Sequence, residues 1–314
     1  LAITDHGVMY GVIDFYKACK AEGIKPIIGC EVYIVSDNGS RFEKEERGGV
    51  RYDHLLLLAE NMTGYENLMK LVSRGFIDGY YYKPRIDFEL LKQHKEGLIA
   101  TSACLAGVVA RALLNYSYEK AVTVARQYRE LFGPDMFYLE MQDHEDGSAD
   151  QRRLNQALMR MSRELDIPLV VTNDVHYTFE QDKAAHDILL CIQTGKKLED
   201  QDRMRYEGNY CLRSPEEMAE LFPYAREALT NTHKIADMCS LELTFHERKL
   251  PSYQVPEGYT VSSYMRMLCA NGLKERYADC DPKAPGFDPE KARYQWKDLT
   301  ERLEYEIGVI ESMG

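Results

Sequence analysis

Short apolar segments alternate with amphipathic helical segments through the first two thirds of the sequence, and this alternation constrains the fold more than any other feature. Its clearest unit spans residues 151–176. One helical stripe in it is formed by Leu154, Leu158, Met161 and Leu165. The strand-like segment "LVVTNDVH" follows. Repeated strand–helix units predict an α/β fold with a parallel sheet or barrel.

Other predicted elements follow the same alternation. Helices are predicted over about residues 10–22, and from Thr63, where Thr63 and Glu66 have the spacing of a capping box. The polar segment 36–50 is predicted to be an exposed loop or hairpin tip. Strands are predicted in the apolar runs at residues 1–4, 27–35, 54–60, 97–104 and 136–144.

The last third of the sequence is dominated by helical segments. A helix is predicted from Ser214, because an N-cap serine, a proline and a glutamate stand there in the order that favours a helix start. Further helices are predicted at 225–240 and 289–313, with an irregular segment rich in Pro and Gly between them.

At 314 residues the chain is long enough for more than one domain. The change in character places a boundary near residues 196–212. We therefore predict a β/α domain over residues 1–200 and a mainly helical part over residues 201–314.

The composition argues against several classes of protein. A formal net charge of −12 argues against general electrostatic binding of DNA, although a local basic groove is compatible with it. The 8 cysteines include no CxxC pair, which argues against a zinc finger or a disulfide framework. No apolar run is long enough to span a bilayer and no signal peptide is recognisable, so we expect a cytoplasmic protein.

Residue types that bind metals lie in or directly after several predicted strands. In a barrel or α/β sheet the C-terminal strand ends meet on one face, so such side chains can converge. Imidazole, carboxylate and thiol groups together suit zinc, manganese or iron, and could supply a metal-bound hydroxide for attack on a phosphate ester. The candidates are His6, Glu31, His54, Cys104, His144, Asp174 and His176.

Each candidate also has an explanation without a metal. The pattern of Asp174 and His176 is so short that it would often arise by chance, and the others could be ordinary buried side chains. Glu31 is the stronger candidate, because a carboxylate inside an apolar run needs a partner. His94 and His233 lie in polar helical segments and are predicted to be surface residues.

Eight segments of the sequence resemble, in order, the motifs of one family. They are "AITDHG", "GIKPIIGCEVY", "HLLLLAENMTGYENLMKLVSRG", "YYYKPRID", "TSACLAG", "TNDVHY", "AHDILLCIQTGK" and "RLEYEIGVIESMG". The sequence resembles the polymerase and histidinol phosphatase (PHP) domain found in the alpha subunits of bacterial C-family replicative DNA polymerases. The last four segments resemble these subunits more than the free-standing phosphatases.

The resemblance implies a distorted β/α barrel with a cluster of metals, zinc or manganese being expected. It also implies metal-dependent phosphodiester hydrolysis, which in some family members removes mismatched 3′ ends. The implied catalytic residues are Asp174, His176, His6 and Glu31. The implied metal ligands are His6, Glu31, His54, Cys104, Asp174 and His176, with His144 ranked below them.

The segment "YYYKPRID" offers groups for binding DNA. Lys83 and Arg85 are predicted to contact a DNA phosphate, and Tyr80 to Tyr82 could stack on an unpaired base. A solvated loop explains these residues nearly as well.

The resemblance further implies that the family's sequence continues both before residue 1 and after residue 314 of this chain. The family's first strand, with an HxH motif and an acidic ligand, would precede residue 1, and the palm aspartates would follow Gly314. The chain is therefore expected to be an N-terminal fragment that enters the palm but cannot polymerise DNA. The intact protein is expected to be a DNA-directed DNA polymerase with magnesium in its palm. Its expected partners are primer-template DNA and replisome subunits, such as the sliding clamp and a separate exonuclease.

Two alternatives stay open at this point. A free-standing PHP phosphoesterase acting on a small phosphate ester would not need the helical C-terminal part. A non-catalytic PHP module that stabilises the polymerase or docks an exonuclease could keep its ligands, because a metal can serve folding alone.

Overall fold

Strands of the first two thirds form one mixed sheet. The structure is a computed structural model that describes residues 1–44, 52–245 and 251–313. The strands found among these residues are β1 (Ala2–Ile3), β2 (Ile27–Val35), β3 (Tyr52–Ala59), β4 (Arg85–Ile86), β5 (Leu98–Thr101), β6 (Phe137–Gln142) and β7 (Leu169–Thr172).

The sheet is curled and combines parallel and antiparallel pairs. The strand order is β1, β2, β3, β5, β6, β7, and β4 pairs with β2. Strand β3 is antiparallel to β2 and β5, whereas the other pairs are parallel. The prediction of a parallel sheet is therefore wrong for β3. Because β2 and β3 are antiparallel neighbours, the chain between them does not need a crossover helix. The curled sheet is a half-barrel, which confirms the predicted distorted β/α barrel.

Helices pack against this sheet through their apolar faces. Most of the stripe predicted at residues 154–165 is buried: Leu154, Leu158 and Met161 are at most 1% exposed, and Leu165 is partly buried against the same core. The helices of this part are α1 (Val12–Ala21), α2 (Met62–Ile77), α3 (Phe88–Gln93), α4 (Val108–Asn115), α5 (Tyr118–Phe132), α6 (Ala149–Leu165), α7 (Lys183–Thr194), α8 (Pro215–Leu221) and α9 (Arg226–Met238).

The starts of two helices test the predicted capping signals. Helix α8 begins as predicted, with Ser214 and Glu217 forming a capping box. The capping box predicted from Thr63 is wrong. Asn61 is the N-cap of α2, and its side chain accepts a hydrogen bond from Gly64 N at 3.1 Å. Thr63 therefore lies inside the first turn.

The predicted loop between β2 and β3 is described only in part. Ser36–Asn38 form a short 3-10 helix. Residues 45–50 of the predicted loop lie outside the described residues.

A separate compact unit, Thr244–Gly314, carries helices α10 (Val261–Arg276) and α11 (Trp296–Ser312). Helix α10 lies in the segment predicted to be irregular, so that prediction is wrong for these residues. Thr260 caps α10 by accepting a hydrogen bond from Ser263 N. Arg266 joins the two helices through Glu304 and Glu311, at 2.8 and 2.7 Å. A helix pair joined by ion pairs needs few apolar side chains, so the sequence lacks the periodic apolar pattern from which a helix is predicted.

The first compact unit runs from Leu1 to Leu243 and therefore extends past residue 200. Helix α9 belongs to it, because Ile235 is buried against Val170 of β7. The division into domains over residues 1–200 and 201–314 stays a prediction about family boundaries. Among the described residues, every helix is too short or too polar to cross a membrane.

Candidate metal centre

Glu31 lies in the middle of β2, between two histidines that were predicted to be metal ligands. His6 follows β1 and forms a β-bridge with Glu31, which places its Nδ1 3.6 Å from Glu31 Oε2. His54 is carried by the antiparallel β3, and its Nδ1 lies 2.6 Å from Glu31 Oε1. One potential ligand atom of each residue lies within 4.8 Å of the other two. The arrangement therefore has the chemistry and the spacing that a divalent metal needs.

The protonation of this group also suits a metal. Burial acts to raise the pKa of Glu31, but the His54 hydrogen bond and the two imidazoles outweigh it, so the pKa is lowered overall. Because a carboxylate only accepts hydrogen bonds, His54 donates through Nδ1 and keeps a free lone pair on Nε2. Burial, opposed in part by Glu31, lowers the pKa of His6, which favours the neutral imidazole that a metal binds.

Cys104, Asp174 and His176 come to the same place from the ends of β5 and β7. Cys104 Sγ lies 3.7 Å from Glu31 Oε1. The ring of His176 lies 6.0 Å from that of His6. His176 Nδ1 donates to the Asp174 backbone oxygen at 2.6 Å, which leaves its Nε2 free. The structure thus groups His6, Glu31 and His54 most closely, and it places Cys104 and His176 beside them and Asp174 beside His176.

Negative groups are crowded at this centre. Burial, followed by the charges of Glu31 and Glu140, raises the pKa of Asp174 well above its ordinary value. Burial, Glu31 and Asp174 likewise raise the pKa of the Cys104 thiol. A bound cation would reverse both shifts, because it stabilises the ionised forms. The donor set therefore fits a divalent metal.

The backbone is strained where it carries two of these residues. Asp174 has a φ of 45°, and Ala103, directly before Cys104, has a φ of 57°. Both values lie in the left-handed region, which is unfavourable for a residue with a Cβ atom. Such conformations persist when the surrounding structure holds them, and they are frequent at functional sites.

His144 has contacts of a different kind. It is 4% exposed, and its ring stacks on Tyr210 with the centroids 3.9 Å apart. Its Nε2 lies 3.3 Å from Gln142 Oε1, while its Nδ1 has no hydrogen-bond partner in the described part of the chain. These contacts favour a packed core histidine and agree with its lower rank as a ligand.

The burial of His144 predicts an acid-dependent loss of stability. Burial is the main cause that lowers its pKa to about 4, whereas a histidine in the unfolded chain titrates near 6.5. As the pH falls through this window, the unfolded state gains a proton that the folded state does not, so stability falls by up to about 3 kcal/mol. We expect His144→Gln to remove this part of the pH dependence in urea unfolding with EDTA.

The exposed His233 supplies the control. A His233→Gln variant should keep the wild-type pH dependence. An identical loss of stability between pH 7 and pH 4 in the wild type and His144→Gln would contradict the explanation.

The two basic residues of "YYYKPRID" differ in their surroundings. Arg85 is 3% exposed, and its guanidinium donates to the backbone oxygens of Gly79, Arg41 and Glu43 at 2.9 to 3.1 Å. This favours a structural role for Arg85 over the predicted phosphate contact. Lys83 Nζ lies 5.3 Å from the centroid of the Tyr33 ring, at the edge of the metal centre.

The remaining predicted residues lie nearer to the surface. Tyr80 and Tyr82 are 53% and 75% exposed, and their rings already pack against Phe76 and Tyr81 on one side. His233 is exposed and His94 is partly exposed, in agreement with the prediction.

Glu140 was not predicted, although it is buried on β6, between the strands β5 and β7 that lead to Cys104 and Asp174. It is 2% exposed, on β6. The hydroxyl groups of Thr101 and Thr172 and the amide of Gln142 donate to its carboxylate. An acidic residue inside the apolar run "MFYLEMQ" was the available signal, of the same kind that marked Glu31.

Aromatic residues around His176 were also missed. The ring of Tyr206 lies 4.7 Å from that of His176, and His186 lies 5.5 Å from it. Tyr210 packs beside Tyr206 at 4.7 Å. These residues follow the last strand in loops and in α7, so no strand pattern pointed to them.

A comparison with family profiles and known proteins adds to this geometry. Residues 1–144 match the PHP domain. This stretch belongs to the PHP family. The match includes His6, Glu31, His54 and Cys104, and the predicted family is thereby confirmed.

Similar proteins cover the rest of the chain as well. The whole chain is 44% identical to the DNA polymerase III alpha subunit of Treponema pallidum and 42% identical to that of Borreliella burgdorferi. It is 39% identical to that of Thermus aquaticus. All of this chain is matched in each case, but only 25%, 26% and 29% of the relative. The PHP-containing chain thus spans about a quarter of the length of these relatives.

Proposed function

We propose that the metal centre holds divalent ions and hydrolyses phosphodiester bonds as part of a DNA polymerase III alpha subunit. The observation that carries this proposal is the convergence of His6, Glu31 and His54 within 4.8 Å. Asp174 and His176 lie beside them from the opposite end of the sheet. Imidazole and carboxyl groups are costly to bury together in a core that has only a structural role, so their convergence favours a binding site.

The donor set suggests which ions bind. Imidazole with carboxylate and thiol suits zinc, and imidazole with carboxylate alone suits manganese. A divalent ion held there would activate a bound water and stabilise charge on a phosphoryl oxygen. Residues His6, Glu31, His54, Cys104, Asp174 and His176 would hold it.

The chain's own residues would orient this chemistry. Glu31 fixes the ring of His54, and the Asp174 backbone fixes the ring of His176, so that each presents Nε2. Asp174 Oδ1 lies 3.8 Å from His176 Nδ1, so its carboxylate would act together with these rings as a ligand of the ion. We therefore assign catalytic roles to Asp174, His176, His6 and Glu31.

A DNA 3′ end is the substrate we propose. Lys83 would contact a phosphate of the strand, and the exposed rings of Tyr80 and Tyr82 would stack on an unpaired terminal base. Removal of a mismatched 3′ nucleotide is then the reaction that fits a polymerase subunit.

For the intact protein we propose DNA-directed DNA polymerisation during bacterial replication. Its palm, with magnesium, would lie beyond the β/α domain, and residues 201–314 would lead into it. Primer-template DNA, a sliding clamp and a separate exonuclease subunit are the proposed partners. The proposed location is the cytoplasm.

Removal and return of the metal test the proposed activity. The full-length protein is treated with a chelator, dialysed, and given manganese, zinc or magnesium before a labelled primer with a mismatched 3′ nucleotide is added. We expect chelation to abolish trimming and manganese or zinc to restore it. Trimming that survives chelation, or is absent with every metal, would sink the proposal and leave a structural metal site.

A further inference from the structure

Three hydrogen-bond donors from separate parts of the chain lie at the edge of the metal centre. They are the hydroxyl groups of Tyr33 and Tyr206 and the ammonium group of Lys83. Within residues 1–44, 52–245 and 251–313, none of the three has a hydrogen-bond or ion-pair partner. We call these three residues the donor rim.

Tyr33 lies two residues after Glu31 on β2, so both side chains are on the same face of the sheet. Its ring lies 5.2 Å from that of His54 and 6.2 Å from that of His6. Gly7, in the turn after His6, lies so close to the Tyr33 ring that a Cβ atom there would come within 2.8 Å of it. The backbone of this turn therefore packs against the ring. Tyr33 is 6% exposed, yet its hydroxyl has no partner in the described chain.

Tyr206 reaches the centre from the segment between α7 and α8. Its ring lies 4.7 Å from that of His176 and 5.2 Å from that of His186. The segment is fastened by Arg203, which binds both carboxylate oxygens of Asp187 at 2.5 and 2.8 Å. Lys183 Nζ also donates to Glu207 O at 2.7 Å. Tyr206 is therefore held next to a predicted ligand.

Both phenols lie beside histidines of the metal centre, Tyr33 beside His54 and His6 and Tyr206 beside His176. Burial, followed by Asp174, Cys104 and Glu31, raises the pKa of Tyr206 to about 12. Burial, followed by Tyr52 and Glu31, raises the pKa of Tyr33 to about 12. The rings of His6 and His176 lie 6.0 Å apart, so the two phenols flank the same pair of histidines.

Lys83 completes the rim on the side of His6. Its ammonium lies 5.3 Å from the centroid of the Tyr33 ring, and its charge contributes to the lowered pKa of His6. It has no acidic partner among the described residues, although the protein carries many acidic groups. A positive charge left free beside a ligand cluster favours an anionic ligand.

We propose that the hydroxyl groups of Tyr33 and Tyr206 bind, together with Lys83, the non-bridging oxygens of a nucleotide phosphate at the metal centre. The proposal rests on the proposed function and names the part of the substrate that is recognised. Phosphate oxygens only accept hydrogen bonds, and hydroxyl and ammonium groups can donate them. A divalent ion held by the metal ligands would supply positive charge for the same phosphate.

Binding of a nucleotide to tyrosine variants tests the donor rim without relying on catalysis. The probe is thymidine 5′-monophosphate, titrated calorimetrically into the manganese-loaded full-length protein. Tyr33→Phe and Tyr206→Phe keep the rings and remove only the hydroxyls. Each should weaken binding by about tenfold, because a hydrogen bond to a charged acceptor is lost. Bound manganese, measured in the same samples, should not change.

Tyr116→Phe is the matched control. The Tyr116 ring is 54% exposed, and its hydroxyl donates to Asp37 at 3.2 Å, away from the metal ligands. This variant should bind the nucleotide as the wild type does. Inorganic phosphate, titrated in parallel, should show the same losses, since the rim recognises the phosphate and not the base.

The outcomes separate this inference from the proposed hydrolysis. Weaker binding in both rim variants with unchanged manganese supports the donor rim, even if the wild type cleaves no DNA. Unchanged nucleotide affinity in both rim variants, or no binding of either probe by the manganese-loaded wild type, overturns it. If the wild type trims DNA but both rim variants bind the nucleotide as tightly as the wild type, the proposed hydrolysis stands and the donor rim is rejected.

Discussion

We expect the double substitution Asp174→Ala, His176→Ala to lower 3′ trimming by the full-length protein by more than about 100-fold. The two side chains leave the end of β7 together and face His6 across the centre. Their loss removes a carboxylate and an imidazole from the ligand set, so bound manganese or zinc should fall as well. Trimming of a labelled mismatched primer and the metal content of the purified protein measure the two effects.

Two comparisons show whether the loss is specific. The variant Asp237→Ala, His233→Ala removes the same residue types from the exposed face of α9 and should trim normally. Primer extension with a matched end should be retained in both variants, because the proposed palm lies elsewhere. If the site variant trims as fast as the wild type, editing belongs to another protein and the centre has a structural role.

The candidate ligands could be picked out from the sequence because each lies within an apolar run or next to one end of it. Glu31 within "IIGCEVYIV" is the clearest example, since a charged side chain in such a strand needs a partner. The structure supplies that partner through His54, which the antiparallel pairing of β2 and β3 places beside it. The pairing itself was not predicted, because repeated strand–helix units suggested parallel neighbours.

The residues that surround the ligands were harder to predict. Tyr206 lies in a loop without periodicity, and its position depends on the ion pair between Arg203 and Asp187. Contacts between residues that are distant in the chain and lie in loops leave no periodic pattern. The sequence-based prediction missed α10 for the same reason. Ion pairs of Arg266 join this helix to α11, and it has no fully buried side chain.

Replacement of Glu140 by alanine should have the largest effect on stability. The carboxylate accepts hydrogen bonds from Thr101 on β5, Thr172 on β7 and Gln142 on its own strand. Its removal leaves these buried donors unpaired and opens a cavity between three strands. Relief of the buried charge offsets part of this cost, and we expect a net loss of about 3 kcal/mol in the free energy of unfolding.

Urea unfolding of the variant and of Glu130→Ala measures this effect. Glu130 is exposed on α5, so its loss should change stability by less than about 0.5 kcal/mol. A Glu140→Gln variant keeps the shape but turns one acceptor into a donor, and it should fall between the two. Because Thr101 and Thr172 stand just before the turns that carry Cys104 and Asp174, the Glu140 variants should also lower metal affinity. A Glu140→Ala protein as stable as Glu130→Ala would mean that the carboxylate does not hold these strand ends together, and that the ligand-bearing turns are fixed by their own backbone contacts.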